Sequence, residues 1–340
     1  VMAAEAALAA ALAAGCFLNT LPATELVFDD LKAISENPDV TGASASSLLH
    51  NDFWGHPLRS AGTHGSYRPL TTLTFRWNFQ LHGHEPFGYH LVNLVLHTLA
   101  SALWAVFLRS IVPNAPRARA AAAALFAVLP VHCDAVASVV GRAELLSFLF
   151  VLLSLLAYDA ACGKRGYASI LLALLASLSA AAATFSKEQG FSAFPLCLAL
   201  EAVHFASPRR RPSALPSIPR LALTATSALA VLAARLAIAG GAAPSFPIES
   251  NPAAHHPDWS VRCLTFAYLA SRHALLLFQT SGFAPHYSHE SVPLLTSASD
   301  PRLATALAVL LPLLALTLAA TARLLAALRA RRRAASAAAA

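Results

Sequence analysis

Two adjacent carboxylates directly after the first apolar segment are the residues best suited to chemistry. Asp29 and Asp30 follow Phe28 at the end of a long run of small and apolar residues. Ionisable groups beside a membrane span are costly to place unless they have a role, and a carboxylate can take the proton of a hydroxyl. Because a helix N-cap requires only one Asp, the pair predicts that Asp29 or Asp30 is a catalytic base in a membrane-embedded enzyme.

Two cations at later positions are candidates for holding a phosphate group. Arg68 lies in a polar loop segment, and a guanidinium matches phosphate oxygens in a bidentate way. Lys187 lies in Ser186-Lys187-Glu188-Gln189-Gly190 and could bind the head group of a lipid-linked phosphate, with Glu188 beside it. Each has a structural alternative, because Arg68 could form an ion pair within its loop and Ser186 could open a capping box.

Four more ionisable residues flank the third and fourth apolar segments. His132 and Asp134 lie together, and Arg142 and Glu144 follow after a short apolar stretch. An unpaired carboxylate in an apolar context is costly, so we expect Asp134 to pair with Arg142 or with His132. These residues are candidates for binding the substrate, and the structural alternative is an ion pair between helices.

The histidines and cysteines do not predict a metal site. His90, Asn93 and His97 share one helix face by their spacing, and a polar stripe on a membrane helix faces its neighbours. We expect interhelical hydrogen bonds there, since no third ligand has suitable spacing. The five cysteines are scattered and form no CxxC pair, which excludes a disulfide framework and a zinc ribbon as first interpretations.

The composition predicts an all-α polytopic membrane protein. Of the 340 residues 57% are hydrophobic and only 12% are charged, whereas soluble domains carry roughly 25% charged residues. Runs of about 20 apolar residues can cross a bilayer as helices. The best candidates are residues 6–24, 145–163, 167–186 and 303–322, and the weaker ones are 89–108, 120–140, 189–205 and 221–240. The weaker runs need neighbouring helices, so we expect a bundle.

The distribution of the +7 net charge indicates the topology. Short basic loops are typical of the cytosolic side, and such loops lie at 117–119, 164–165, 209–211 and 329–333. This pattern argues against nucleic acid as the partner. It puts Asp29 on the opposite side, in a long external loop of residues 28–88, with a second external region at 240–302. Residues 262–283 interrupt the alternation and are predicted to be re-entrant or interfacial. We expect residues 6–24 to be a retained helix and not a signal peptide.

The polar strings of the chain resemble the membrane half of the TMTC proteins, the transmembrane and tetratricopeptide-repeat O-mannosyltransferases. The resemblance runs in order from about residue 25 to residue 295 and is specific as a set. The matching strings are Phe28-Asp29-Asp30, Glu36-Asn37-Pro38-Asp39, Asn51-Asp52-Phe53-Trp54-Gly55, Ser66-Tyr67-Arg68-Pro69-Leu70-Thr71, Pro86-Phe87-Gly88-Tyr89-His90-Leu91-Val92-Asn93, Pro130-Val131-His132, Gly141-Arg142-Ala143-Glu144, Ser186-Lys187-Glu188-Gln189-Gly190, Asn251-Pro252-Ala253-Ala254, Tyr287-Ser288 and Val292-Pro293-Leu294.

The resemblance implies a GT-C-type helical bundle with two long lumenal loops in the endoplasmic reticulum membrane. Residues 1–328 would form the catalytic domain, with 28–88 and 240–302 lumenal, followed by a basic and then Ala-rich tail at 329–340. The donor would be dolichyl phosphate mannose, with no cofactor and no metal. The acceptor would be a Ser or Thr hydroxyl of a secretory-pathway protein, cadherin-type domains among them. The expected partners are therefore this donor, the acceptor protein and membrane lipid.

The chain departs from the family pattern in three places. Asp134 stands where the family usually has Glu, and His286 stands where it usually has Asp. No tetratricopeptide array follows residue 333 in this chain, so the part thought to handle the acceptor is expected to be missing.

The mechanism that fits this resemblance is a single inverting displacement. Asp29 or Asp30 accepts the proton of the acceptor hydroxyl, and Arg142, Lys187 and Arg68 stabilise the phosphate that leaves. Two alternatives belong to other classes. A transporter or lipid flippase would place ionisable groups at mid-membrane on repeated, broken helices, and a non-catalytic membrane scaffold would not need adjacent acids.

Overall fold

The computed structural model describes residues 2–42, 44, 46–60, 63–206, 217–240, 247–284, 287–288 and 291–339. The basic loop at 209–211 and the departure at His286 lie outside these residues. The chain divides into two compact units. The first consists of Val1–Val128, His132–Phe205 and Ala214–Ala243, and the second of Leu129–Val131, Ala206–Ser213 and Pro244–Ala340.

The first unit is built from helices, and its described residues form no strand, only one isolated bridge between Asn51 and Pro57. Short 3-10 turns and one π-helical turn, Leu31–Ser35, connect the longer elements. The α-helices are α1 (Met2–Phe17), α2 (Pro38–Thr41), α3 (Pro69–His82), α4 (Pro86–Ile111), α5 (Pro116–Val128), α6 (Cys133–Ala137), α7 (Arg142–Cys162), α8 (Gly166–Ser186), α9 (Ala193–Ala206) and α10 (Ile218–Ile238).

The prediction of a polytopic all-α membrane protein is confirmed. Among the described residues, six helices are long and apolar enough to cross a membrane. They are Ala3–Thr20, Pro86–Ile111, Arg142–Cys162, Gly166–Ser186, Ile218–Ile238 and Pro301–Arg331. Leucine-rich faces of these helices remain exposed, for example Leu171, Leu175 and Leu178 on α8. Such faces are stable only in lipid, because water disfavours a continuous apolar surface.

Two weaker predicted spans differ from what the sequence suggested. The predicted helix at 120–140 is broken, because α5 ends at Val128 and the pair Pro116–Val128 and Pro130–Ala137 is bent by 41°. Pro130 lacks a backbone N–H and disfavours helical geometry in the residue before it, which accounts for the break. The predicted span at 189–205 is a 3-10 turn, Glu188–Ser192, that continues into the 14-residue α9, so its α-helical part is shorter than the roughly 20 residues needed to cross a bilayer.

Small residues allow α7 and α8 to approach closely. Ala176, Ala180 and Ala183 are buried along one side of α8, where they form one apolar cluster with Leu152 and Leu155 of α7. Small side chains at such a seam let two backbones come together and increase van der Waals contact. This pair positions Arg142 and Glu144 at the start of α7 next to Lys187 at the end of α8.

Charged pairs at the two ends of the bundle show which helix ends lie together. At one end, Glu5 of α1 accepts from Arg119 of α5 at 3.0 Å, and Glu201 of α9 accepts from Arg220 of α10 at 2.6 Å. At the other end, the starts of α4 and α7 meet the ends of α8 and α10. The helix ends that the charge pattern assigns to one side therefore lie together.

The segment between α1 and α4 folds over the second of these ends. It contains the π-helical turn, α2 and α3, and it has its own apolar core. That core combines residues of the segment with Tyr89 of α4 and Val139 from the connection before α7. Its buried members are Leu26, Ala33, Ile34, Val40, Phe53, Phe75, Tyr89 and Val139.

The second unit contains α11 (Pro252–His255), α12 (Trp259–Leu276) and α13 (Pro301–Ala339). Thr265 of α12 accepts from the backbone N–H of Leu295 at 3.0 Å, and Arg302 at the start of α13 lies over the ring of Tyr268. These contacts connect α12 to α13. The helix α12 is not among the described helices that are apolar enough to span a membrane.

Candidate active site

The two adjacent carboxylates Asp29 and Asp30 have different surroundings. Phe28 has a positive φ of 54°, a backbone conformation that is uncommon for a bulky residue and that is found most often at functional sites. Asp30 is 3% exposed and accepts from the backbone N–H of Val140 at 2.9 Å and of Val139 at 3.4 Å. Asp29 is half-buried and lines an open cleft. The structure thus distinguishes two acids that the sequence left equivalent.

The surroundings of Asp30 favour its structural role. Burial raises the pKa of the Asp30 carboxyl, and the backbone N–H groups of Val140, Val139 and Val27 oppose that rise. The nearby charge of Asp29 raises it further. Because Asp30 is 3% exposed and both its carboxylate oxygens accept from backbone N–H groups, little of it is accessible to a substrate. We therefore assign the candidate base to Asp29 and the anchoring of the connection before α7 to Asp30.

The cleft beside Asp29 has a volume of about 510 Å³. One wall is the π-helical turn, which carries Lys32 one turn after Asp29. The opposite wall is the loop that follows α2. The lining residues are Asp29, Lys32, Glu36, Trp54, His56 and His64. This volume falls within the roughly 300–1,000 Å³ typical of small-molecule sites.

Arg68 and Glu188 form one end of an ionic bridge. Both Nε and Nη2 of Arg68 lie 3.0 Å from Oε2 of Glu188, and Arg235 of α10 donates to Oε1 of Glu188 at 2.9 Å. Burial alone would raise the pKa of Glu188, but the positive charges of Arg68 and Arg235 bring it below its usual range. The predicted cation Arg68 is thus paired with a carboxylate, but that carboxylate belongs to the segment after α8 and not to its own loop as the structural alternative supposed. Arg68 also lies over the ring of Phe53.

Lys187 and Glu144 form a second ion pair at the same end of the helices. The Lys187 side chain is mostly buried, whereas that of Glu144 is 45% exposed. The carboxylate of Asp134 lies within electrostatic range of this pair and of Asp29. The charges of Asp29, Glu144 and Lys187 thus all act on Asp134, while a shared site for these residues stays a prediction. The structure does not pair Asp134 with Arg142 or with His132, so that expectation was wrong.

Arg142 has a structural role in this arrangement. Its side chain is fully buried, and its guanidinium donates to Oδ1 of Asn93 at 3.0 Å, to the carbonyl of Tyr89 at 3.0 Å and to the carbonyl of Thr74 at 3.2 Å. The guanidinium also lies over the ring of Phe75. A guanidinium has five N–H donors and no acceptor, so its buried donors need these acceptors. Arg142 therefore connects α3, α4 and α7, and the expectation that it holds a phosphate does not fit these contacts.

His132 also lies apart from the cleft. Its ring packs against His97 at 5.2 Å and against Phe126 at 4.6 Å between ring centroids. The predicted polar stripe on α4 is confirmed as an inward-facing one, because His90, Asn93 and His97 are all buried. Asn93 donates to the carbonyl of Ser138 at 2.9 Å, and thereby holds the broken segment against α4.

Several residues of the site were not predicted. Arg235 completes the bridge to Glu188 and also donates to the carbonyls of Thr184 and Tyr67. An arginine inside an otherwise apolar helix is itself a signal of function or of an internal partner, so Arg235 could have been found. Lys32, His56 and His64 line the cleft, but no local pattern distinguishes them from other loop residues.

Comparisons with known proteins find related sequences. The family model described as Protein O-mannosyl-transferase TMTC, DUF1736, matches residues 240–314. No solved structure is significantly similar to the chain.

Curated relatives cover most of the chain. Protein O-mannosyl-transferase Tmtc1 of Drosophila melanogaster is 37% identical over 311 residues, which is 86% of this chain and 35% of the relative. Protein O-mannosyl-transferase TMTC2 of Homo sapiens is 36% identical over 304 residues, 86% of this chain and 36% of the relative. Protein O-mannosyl-transferase Tmtc2 of Drosophila melanogaster is 38% identical over 291 residues, 84% of this chain and 30% of the relative. The chain spans about a third of the length of the curated relatives it matches. Identity at this level across nearly the whole chain, together with the family model, shows that the chain belongs to the TMTC family.

Proposed function

We propose that the chain carries the catalytic membrane portion of a protein O-mannosyltransferase. Dolichyl phosphate mannose is the donor, and a Ser or Thr hydroxyl of a secretory-pathway protein is the acceptor. The observation that carries the proposal is the cleft lined by Asp29, one carboxylate of the acidic pair, whose charge acts on Asp134 together with the charges of Lys187 and Glu144. The printed names of the relatives support transfer of mannose to protein.

The reaction we propose is a single displacement with inversion. The acceptor oxygen forms a bond to the anomeric carbon of mannose while the bond from that carbon to the phosphate oxygen breaks. Dolichyl phosphate leaves with the bonding electron pair, and Asp29 takes the hydroxyl proton. Proton transfer to a positioned side chain of this kind contributes typically about 10²- to 10⁴-fold to a rate.

Lys187 and Arg68 are the cations we assign to the departing phosphate. Each lies at the cleft end of the helices with a partly exposed carboxylate as its present partner. Charge that develops on a leaving group is stabilised best by donors already fixed in place. Glu144 and Glu188 keep these cations oriented, and Asp134 adjusts the charge around Lys187. We do not include Arg142 or His132 among the groups that contact the donor.

The wider assignment follows the family. We place residues 1–328 in a GT-C-type catalytic domain with a first lumenal loop at 28–88 and a second lumenal or re-entrant region at 240–302. The tail at 329–340 follows this domain. The protein would be a multi-pass component of the endoplasmic reticulum membrane with its cleft facing the lumen, and its acceptors would include cadherin-type domains. The basic residues Arg262, Arg272 and His273 within the apolar α12 support an interfacial position for residues 262–283, because such residues suit the membrane surface.

The experiment that tests this function is transfer of radiolabelled mannose. The purified protein in lipid nanodiscs is incubated with labelled dolichyl phosphate mannose and a mixture of Ser- and Thr-containing peptides. We expect transfer by the wild-type protein and a loss of about 10²-fold or more in Asp29→Asn, with donor binding retained. Asp258→Asn, at an exposed N-cap of α12, is the matched control. Wild-type turnover by Asp29→Asn would exclude it as the base.

A further inference from the structure

The loop after α2 is organised around one buried carboxylate. Asp52 is 2% exposed and accepts four hydrogen bonds. The backbone N–H groups of Trp54 and His56 donate to its Oδ1 at 2.9 and 3.0 Å. The hydroxyl of Thr63 and the backbone N–H of His64 donate to its Oδ2 at 2.9 and 3.0 Å. Hydrogen bonds to a charged acceptor are about twice as strong as neutral ones, so Asp52 fixes both ends of this loop.

A second buried polar residue connects this loop to the opposite wall of the cleft. The side-chain amide of Asn37 donates to the carbonyl of Ala33 at 3.1 Å and to the carbonyl of Phe53 at 3.0 Å. Ala33 belongs to the π-helical turn that follows Asp29. Gly55 has a φ of +83°, and a Cβ there would lie 2.5 Å from Oδ1 of Asn37. The two walls are therefore held at a fixed separation by Asn37, and the close approach requires glycine at position 55.

These contacts present one aromatic ring and two imidazoles to the cleft. Trp54 packs edge-on against Phe53 and His64, with ring centroids 5.0 and 6.4 Å apart, which limits its rotation. His56 and His64 line the cleft next to it. An indole offers a flat apolar face, and an imidazole offers one donor and one acceptor. A pyranose ring has the matching features, an apolar C–H face and a rim of hydroxyl groups.

We propose that this wall is the sugar subsite of the donor, in which the pyranose ring stacks on Trp54 and its hydroxyls meet His56 and His64. Asp52 is the positioning residue that holds the wall in place. This inference rests on the proposed function and assigns a task to the Asn51-Asp52-Phe53-Trp54-Gly55 segment, which that function leaves without one. The ionisable lining argues against the prenyl chain as occupant, since burial of charged groups against a hydrocarbon is costly.

The test compares the affinity of the chain for dolichyl phosphate mannose and for dolichyl phosphate, both measured in nanodiscs of identical lipid composition. We expect the wild-type protein to bind the mannose-bearing lipid more tightly. In Trp54→Ala, that preference should fall by about threefold to tenfold, as expected for loss of an aromatic contact, whereas the affinity for dolichyl phosphate should stay unchanged. Trp77→Ala is the matched control, because Trp77 is exposed on α3 and does not line the cleft.

Asp52 is tested by the same ratio. Asp52→Asn presents an N–H₂ group to donors that require an acceptor, so it should reduce the sugar-dependent preference without changing dolichyl phosphate binding. Trp54→Phe keeps an aromatic face and should retain most of the preference, and it covers the case in which Asp52→Asn fails to fold.

Three results would overturn the proposal. If Trp54→Ala keeps the wild-type preference and raises only the KM for the acceptor peptide, the wall belongs to the acceptor. If the wild-type protein binds neither lipid, the proposed function itself is wrong, and the subsite with it. Wild-type donor binding without any preference for the mannose-bearing lipid would reject the subsite alone.

Discussion

Arg142 donates from Nε to the side-chain oxygen of Asn93 at 3.0 Å, and both side chains are fully buried. This contact joins the first turn of α7 to α4 at one end of the two helices, and Ser110 of α4 donates to Asp159 of α7 at their other end. Arg142, one of three cations predicted to hold a phosphate, is therefore part of the framework that joins these helices. Its position explains why α3, α4 and α7 meet at one point.

Replacement of Arg142 by Met should lower the stability of the protein. Donor binding should change only as a consequence of that lower stability. The change leaves Oδ1 of Asn93 without its Arg142 donor and removes a second donor from the helical carbonyls of Tyr89 and Thr74. A buried group left unsatisfied costs about 1–3 kcal/mol. We expect a clear fall in the unfolding temperature in nanodiscs. Arg323→Met, at an exposed position of α13, is the control. Unchanged stability together with lost donor binding would instead return Arg142 to the role of a phosphate ligand.

The Glu188 bridge predicts a pH dependence of stability. The folded-state pKa of Glu188 lies below its ordinary value of 4.5. Its stabilising contribution is therefore fully present above the ordinary value and is lost as pH falls through the folded-state pKa. We expect the wild-type protein to lose stability on acidification in this window more steeply than Glu188→Gln, which cannot ionise. Unfolding temperatures recorded from about pH 7 to about pH 3 measure this difference, and parallel curves for the two proteins would contradict it.

The Glu201–Arg220 pair predicts strong coupling between α9 and α10. Both side chains are 3% exposed, and Arg220 also donates to Ser169 at 2.7 Å. Removal of one partner of a buried pair typically costs about 3–5 kcal/mol, whereas an apolar replacement of both is often neutral. We expect Glu201→Leu and Arg220→Met to be strongly destabilising alone and the double variant to recover most of the loss. A double-mutant cycle measures the coupling, and additive losses would refute it.

Gly190 allows the turn after α8 to pass close to that helix. A Cβ at this position would lie 2.2 Å from the carbonyl carbon of Ala183 and 2.7 Å from the hydroxyl of Ser147. Overpacking of this kind typically costs about 1–3 kcal/mol, so Gly190→Ala should unfold at a lower temperature. Gly15→Ala in α1 is the control, because nothing lies within 4 Å of a Cβ there. Equal stability of the two variants would show that the turn can move away.

Asp30 should behave as an anchor and not as a base. Asp30→Ala removes the acceptor of the Val139 and Val140 N–H groups, and hydrogen bonds to charged groups contribute about 1.5–3 kcal/mol. We expect lower stability in Asp30→Ala, with substantial stability and transfer restored in Asp30→Asn, which keeps one acceptor oxygen. Labelled mannose transfer and thermal unfolding, measured on the same preparations, distinguish the two roles. Complete loss of transfer in a fully stable Asp30→Asn would assign the base to Asp30.

The sequence was informative about the helices because a membrane span requires length and low charge, and both can be counted along the chain. It also placed the ionisable residues at the correct helix ends, since basic loops and acidic loops alternate. It could not choose between Asp29 and Asp30, because the choice depends on the positive φ of Phe28 and on backbone donors more than a hundred residues away. The structural role of Arg142 likewise depends on acceptors distant in sequence, at Thr74, Tyr89 and Asn93.

Other parts of the site were invisible for a different reason. Trp54 and His64 lie in the cleft because the carboxylate of Asp52 accepts hydrogen bonds from both of their backbone N–H groups. A loop of this kind has no periodic pattern, and its shape follows from a few specific hydrogen bonds. Some of the residues that carry the family resemblance, Asn37 and Asp52 among them, are buried residues that hold the loop by hydrogen bonds and are not candidate reacting groups.

The hydrogen bonds from Val139 and Val140 to Asp30 have an evolutionary consequence. They tie the position of Asp29 to the connection that leads into α7, and Arg142 fixes that connection two residues later. A residue inserted or deleted between 137 and 141 would shift the carboxylate of Asp29, although Asp29 is far from this connection in sequence. Among relatives, we therefore expect this short connection to keep its length, whereas the turn at residues 58–60 can vary in length. Alignment gaps would then avoid the connection and fall in the turn.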